Sequence, residues 1–208
     1  ILDFLARSHE IYRTTWLIIA KDTNARDILG AKKGIEAVQS TYMSDIIENR
    51  RFNSEVSTAN ILDFLKRKTG SEINPVAGVM RIIEEANLPA EKKEEPTTTG
   101  VKLSGTAVFK KDKLVGYLDD IETRGLNWIT GKVESGLINV LSPFEEGKLI
   151  AIEIKKASSK IKPEIVDGKI SFTIEVKEEG ALVEEQGTLD VSKLEIVKEI
   201  EKAKNDVI

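Results

Sequence analysis

The sequence predicts an α+β protein of two mixed domains, the second an antiparallel sheet with helices packed on one side. Three observations carry this reading. Apolar residues alternate over Ile170, Phe172, Ile174 and Val176, with Ser, Thr and Glu between them. That is the two-residue period of a strand with one wet face. Leu194, Val197, Ile200, Ala203 and Val207 recur at helical spacing under a cover of Lys and Glu. Residues 89–99 contain no large apolar side chain, so they can bury nothing and read as a solvated linker. The expected division is therefore 1–88, a linker at 89–99, and 100–208.

In the first domain, Thr15 to Ala20 is a short apolar run suited to a strand buried on both faces. Asp22-Thr23 offers an N-cap for a short helix with Ala25, Ile28 and Leu29 on one face and Gly30 at its end. Ser44 is placed to cap a second helix carrying Ile46, Ile47 and Phe52. Ser57 or Thr58 is placed to cap a third, with Ile61, Leu62, Phe64 and Leu65 opposite Asp63, Lys66 and Arg67. Pro75 to Ile83 reads as extended, although Gly78 weakens a strand there.

The second domain begins with a hairpin. Val101, Leu103, Gly105, Ala107 and Phe109 alternate onto one face, Lys110-Lys111-Asp112 turns the chain, and Lys113 to Leu118 returns. A helix is expected near Asp119 to Ile129. Strands follow at Leu137–Leu141, Lys148–Ile154, Lys160–Ile165 and Lys169–Val176. The last two are joined by Asp167-Gly168, a turn whose glycine accepts positive φ. Ser192-Lys193-Leu194-Glu195 has the form of a capping box.

Composition narrows the chemistry. The chain has 208 residues, 40% hydrophobic and 32% charged, an ordinary globular balance. Its longest apolar run, Trp16 to Ala20, is far short of the ~20 residues a membrane-crossing helix needs. The 35 acidic residues outnumber the 31 basic ones, which disfavours a nucleic-acid partner. There is no cysteine, which removes disulfides, zinc–thiolate sites, iron–sulfur clusters and thiol nucleophiles. One histidine, His9, leaves little for a histidine-based triad or metal site, and its polar setting suits a solvated side chain. The chain begins at Ile1 and ends inside a helical pattern, so it reads as a piece cut from a longer chain, with any signal or lipid-attachment segment upstream.

The candidate motifs each have a bland competitor. Asp119, Asp120 and Glu122 could form an acid–base or metal site, but acidic residues also favour the positive end of a helix. Ser159-x-x-Lys162 fits an acyl-enzyme signature but lies in a strand region without its companion motifs. Gly30 to Gly34 is basic and glycine-flanked but lacks the end of a phosphate loop. Arg124 and Trp128 lie four apart with Glu122 close by, as an interface anchor would, or as a core tryptophan with an arginine stacked over it. Glu184-Glu185 and the charges of the last helix read as solvated surface. No catalytic, cofactor-binding or metal-binding set is expected.

One long stretch is more specific. Gly105-Thr-Ala-Val-Phe-Lys-Lys-Asp-Lys-Leu-Val-Gly116, then Tyr117-Leu118 and Glu122-Thr-Arg-Gly-Leu-Asn-Trp128, resembles the signature of the Ger(x)C family of spore germination lipoproteins. Leu2-Asp-Phe-Leu-Ala-Arg7 and Thr15 to Lys21 are similar to further segments of that family. The resemblance implies that residues 1–88 are part of the family's middle domain and that 100–208 are an incomplete C-terminal domain. It implies a non-catalytic C subunit of a germinant receptor. Such subunits act beside A and B subunits, without a cofactor, tethered by a lipid to the outer face of the spore inner membrane. Motif positions Gly105, Thr106, Phe109, Gly116, Glu122, Arg124 and Trp128 become candidate interface residues. In this reading Gly105 to Phe109 form a strand over which something packs closely, and Gly116 permits a bulge or a tight approach. The competing expectation is a module that binds the germinant itself in a cleft.

Overall fold

The computed structural model describes residues 12–31, 39–70, 73–84 and 99–208, together with Phe4 and Arg7. By its internal contacts the chain forms two compact units, one of residues 1–50 with 55–123 and one of 51–54 with 124–208. Both mix helices and strands, so the chain is α+β.

The first unit is built on a five-stranded sheet in the order β2-β1-β3-β4-β5. The strands are β1 (Trp16–Ala20), β2 (Ala59–Asn60), β3 (Val76–Glu84), β4 (Thr99–Lys110) and β5 (Lys113–Leu118). β1 and β3 run parallel, and the other pairs are antiparallel. The hairpin β4–β5 thus joins the same sheet as β1 and β3. The residues expected as a linker, 89–99, lie outside the described residues except Thr99. His9 and most of Gly30 to Gly34 also lie outside them.

Both faces of this sheet are covered. On one, Ile28 of helix α1 (Ala25–Gly30), Ala31 just after it and Ile47 of α2 (Gln39–Glu48) pack on Met80, Val101 and Leu103. On the other, Phe64 of α3 (Ile61–Thr69) packs on Ala77, Val79, Ala107 and Phe109. Trp16 and Ile18 join the first cluster and Leu17 and Ile19 the second, so β1 is covered on both sides as its composition predicts.

The expectation that Val101 through Phe109 share one face is corrected. Val101 and Leu103 belong to one cluster, Ala107 and Phe109 to the other. The β3–β4 register shifts between Gly78 and Met80, where Gly78 faces Thr106 and Met80 faces Leu103. An extra residue on β4 makes a bulge there, and a one-residue slip exchanges the two faces of a strand.

Helix starts differ from expectation for a common reason. The caps are Asn24 and Asn60, each later in the chain than the residues expected. Asn60 closes β2, and its side chain accepts from the Asp63 amide at 2.8 Å. Ser44 lies inside α2, which starts earlier, and Phe52 falls in a following 3-10 turn, Asn49–Phe52. A short polar side chain caps a helix only if its backbone is still extended, which sequence alone does not reveal. Asn60→Ala is expected to cost about 1 kcal/mol of stability, read from the midpoint of urea unfolding.

The second unit holds an antiparallel sheet, β6-β7-β8, of Leu137–Leu141, Leu149–Val166 and Lys169–Glu185. Its core gathers Ile138, Val140, Ile150, Ile152 and Ile154 from the sheet with Trp128, Val133 and Ile200. Trp128 comes from α4 (Asp120–Ile129) and Ile200 from α5 (Leu194–Asn205). The two strands expected at Lys148–Ile154 and Lys160–Ile165 are one. Lys155 is the extra residue where the register shifts between Ile154 and Lys156. The bulge lets Ile150, Ile152 and Ile154 share a face with Ala157 beyond it, which packs against the same core.

The start of α5 also departs from expectation. Its N-cap is Lys193, without a side-chain cap, and Ser192 instead donates to Asp190. These two hydrogen bonds, hydroxyl first, hold the Asp190 carboxyl below the usual carboxylate range. The inward stripe is Ile196, Ile200 and Ala203, while Leu194 and Val207 are exposed. Lys204 on α5 pairs with Glu178 on β8, and both side chains are nearly buried.

Candidate functional site

The motif that singles out residues 105–128 is, in structure, largely a set of folding instructions. Gly105 has φ +80°, a conformation glycine adopts freely. Its amide donates to the Glu55 carbonyl at 3.2 Å, and it bridges Val56 in parallel. A Cβ there would sit 2.7 Å from the Leu118 carbonyl oxygen. The close packing expected at this strand is therefore real, and the partner is the protein's own backbone.

Thr106 is fully buried, and its hydroxyl accepts from the Thr123 hydroxyl at 3.1 Å, tying β4 to the first turn of α4. Phe109 is buried with its ring edge-on to Phe64, centroids 5.0 Å apart and planes at 83°. That geometry sets the positive ring edge against the negative face. Of the two expectations for Gly116, the tight approach is absent and the bulge is present next to it. A Cβ added there would meet nothing within 4 Å, and its φ is not positive. The bulge lies beside it, where Val108 pairs Gly116 but Phe109 pairs Leu114, leaving Val115 as the extra residue.

The three clustered acids start α4. The Glu122 carboxylate accepts from the Asp119 amide at 3.0 Å, and the Asp119 carboxylate accepts from the Glu122 amide at 2.8 Å. This is a reciprocal capping arrangement. Asp120 pairs with Lys102 at 3.1 Å. Among the described residues no group of three or more His, Cys, Asp or Glu is arranged to hold a metal ion.

In the second unit, Arg124 is half-buried and Trp128 is buried in the core. The Trp128 carbonyl accepts from the Ser159 hydroxyl, which fixes β7 to α4. Ser159 and Lys162 have separate partners, since Lys162 pairs with Glu175 across β7 and β8. Asn127, which sequence reading passed over, is buried and donates from its side chain to the Ser54 carbonyl at 2.8 Å. A polar residue one step before a core tryptophan on a helix was the available signal. Of the seven motif residues only Glu122 is exposed.

No helix among the described residues is long and apolar enough to cross a membrane. One apolar cleft stands out in the first unit. It lies between α1, α2 and the sheet, holds about 440 Å³, and is lined by Trp16, Ile28, Met43, Ile47 and Met80, with Ser40 and Ser44.

Comparisons with known proteins cover both halves. Residues 1–82 match the family model described as spore germination protein N-terminal domain. Residues 104–208 match the model described as spore germination B3/GerAC like, C-terminal. These segments divide the chain elsewhere than its compact units do, since the hairpin belongs to the sheet of the first unit. The chain is 29% identical to spore germination protein B3 of Bacillus subtilis (strain 168), over 89% of its own length and 46% of the relative's. It is also 29% identical to spore germination protein YndF of the same organism, over 96% of its own length and 46% of that relative. The chain thus spans about half the length of the curated relatives it matches. The crystal structure of the GerBC protein shares the fold, with TM-score 0.57 and 23% identity, over 99% of this chain and 56% of that one.

Proposed function

Because the chain belongs to the GerAC-like family of spore germination proteins, we propose that it is part of the C subunit of a nutrient-germinant receptor. In this reading it acts through protein–protein contacts, beside A and B subunits, at the outer face of the spore inner membrane. It performs no catalysis. A lipid on the longer protein supplies the membrane attachment. The observation that carries the reading is the ordered match of both family models along the chain. The geometry supports it: the acids at residues 119–122 cap a helix or pair with lysine, Ser159 ties β7 to α4, and Lys162 pairs with Glu175 across β7 and β8.

The interface proposal narrows to what the fold leaves outside. Glu122 is exposed, and its neighbour Ile121 is 82% exposed, a large apolar side chain with no part in either core. Ile121→Lys is expected to leave thermal unfolding unchanged, because an exposed helical position costs little. Germinant-triggered release of dipicolinic acid should fall several-fold in spores carrying the variant, at normal protein abundance. Co-purification of the A and B subunits should weaken in parallel. If a tagged full-length wild-type protein brings down neither subunit, the receptor assignment itself fails.

The cleft of the first unit favours a second reading, in which this chain captures the germinant. Among the described residues no charged side chain lines it, which suits an uncharged, largely apolar molecule. Calorimetry with amino acids, sugars and nucleosides separates the two readings: saturable heat supports capture, silence supports the contact role.

A further inference from the structure

The hairpin of the first unit carries opposite charge at its two ends. Its turn reads Lys110-Lys111-Asp112-Lys113, and all four residues are exposed. Lys110 and Lys113 pair directly across the ladder, and like charges so placed repel. The last turn of α3 adds Lys66, Arg67 and Lys68. Lys68 stands 3.8 Å from Asp112, which sets that turn beside the hairpin turn. Residues 66–68 and 110–113 thus gather six basic side chains around one acid, in a chain whose net charge is −4. Leu114 and Val115 follow directly and are 44% and 61% exposed. At the open end of the hairpin, where Thr106 pairs Leu118, the chain runs on into Asp119, Asp120 and Glu122.

Basic residues suit the C-terminal end of a helix by themselves. That reason does not extend to the hairpin turn, nor does it set apolar side chains next to the lysines. We propose that this end of the first unit docks on anionic lipid headgroups, with the lysines and the arginine meeting phosphates and Leu114 and Val115 entering the interface. The inference rests on the membrane-surface reading above for its setting. One lipid chain holds a protein only marginally and reversibly, and a basic patch is the kind of second signal that makes attachment stable. The charge pattern also sets an orientation, because the acids at the open end of the hairpin are repelled by the surface that attracts its turn. The neighbouring side chains are aliphatic rather than aromatic. They suit the acyl boundary of a bilayer better than the stacked bases of a nucleic acid.

Co-sedimentation of the 208-residue chain with phosphatidylglycerol vesicles at low salt tests it. The wild type is expected to bind these vesicles and not phosphatidylcholine vesicles. Binding should vanish near 1 M salt, where screening shortens the reach of charge to about 3 Å. Each lysine close to an anionic surface strengthens binding about fivefold, so Lys66→Glu and Lys113→Glu should each weaken it about tenfold or more. Both side chains are exposed, so thermal unfolding should be preserved. Lys169→Glu, at an exposed lysine of the second unit, should leave binding unchanged. A wild type that stays in the supernatant overturns the proposal and leaves the receptor assignment standing. Binding reduced equally by Lys169→Glu also overturns it, since the attraction is then not a property of this patch. If the wild type ignores vesicles and Lys113→Glu instead abolishes co-purification of the A and B subunits, the patch belongs to a protein partner and the lipid proposal fails.

Discussion

Replacing Trp128 by alanine is expected to destabilise the second unit by about 3–5 kcal/mol. The indole is 4% exposed and sits among Val133, Ile138, Val140, Ile150, Ile152, Ile154 and Ile200. Its removal deletes the transfer free energy of a large ring and leaves a cavity that rigid strand residues cannot fill. The total stability of a domain is only about 5–15 kcal/mol. The loss therefore lowers the folded population as well as the urea midpoint. A spore carrying this variant would respond poorly to germinant through reduced abundance, so a surface role for Trp128 is not needed to explain a defect. Urea unfolding followed by circular dichroism measures the loss directly. Trp16 lies in the first unit and Trp128 in the second, and the chain has two tryptophans. Fluorescence of a Trp128→Phe protein thus follows the first unit alone. An unchanged midpoint for Trp128→Ala would contradict the core assignment.

Gly105→Val is expected to cost about 3 kcal/mol. The backbone at φ +80° disfavours any β-branched side chain, and the new Cβ would stand 2.7 Å from the Leu118 carbonyl oxygen. Backbone atoms of a paired strand cannot move aside as a flexible side chain would. Gly116→Ala is the matched control, since nothing lies within 4 Å of its Cβ and its backbone is ordinary. It should be neutral within about 0.5 kcal/mol or slightly stabilising. Comparing the two midpoints tests whether the first glycine of the motif is required by geometry and the second is not. Equal costs at both positions would remove the distinction.

Much of this fold is legible in the sequence because it rests on periodicity. The expected strand over Pro75 to Ile83 and the hairpin over residues 101–118 appear as β3, β4 and β5. The helix near Asp119 and the final helix also appear. What escaped was set by tertiary pairing. Lys155-Lys-Ala-Ser-Ser159 looks like a break between two strands because alternation fails there. One extra residue, accommodated by the partner strand, explains the failure. The caps at Asn24 and Asn60 depend on where an extended segment stops, which neighbouring strands decide. Alternation at Ile170 to Val176 gave the strand correctly, yet only Val176 reaches the core. Period tells which side chains share a face and says nothing about what covers that face.

The candidate site was legible in a more limited sense. The motif singled out residues 105–128. The reason visible in the structure is architectural at Gly105, Thr106, Phe109 and Trp128, each fixed by a backbone clash, a hydroxyl pair or a packed ring. Distances at that scale are invisible in a string of residue types. The helix-start reading of Asp119 and Glu122 could be anticipated, because their spacing alone permits the reciprocal bonds they make.

The inserted residues on β4 and β7 have a consequence for comparing members of this family. Each switches a strand from one phase to the other, so odd and even positions exchange meaning partway along. A one-residue gap aligned at either place is therefore a change of side, not of length. Whether a polar-for-apolar exchange at Leu103, Ala107, Ile154 or Ala157 is tolerable can be judged only after the phase of that segment is known.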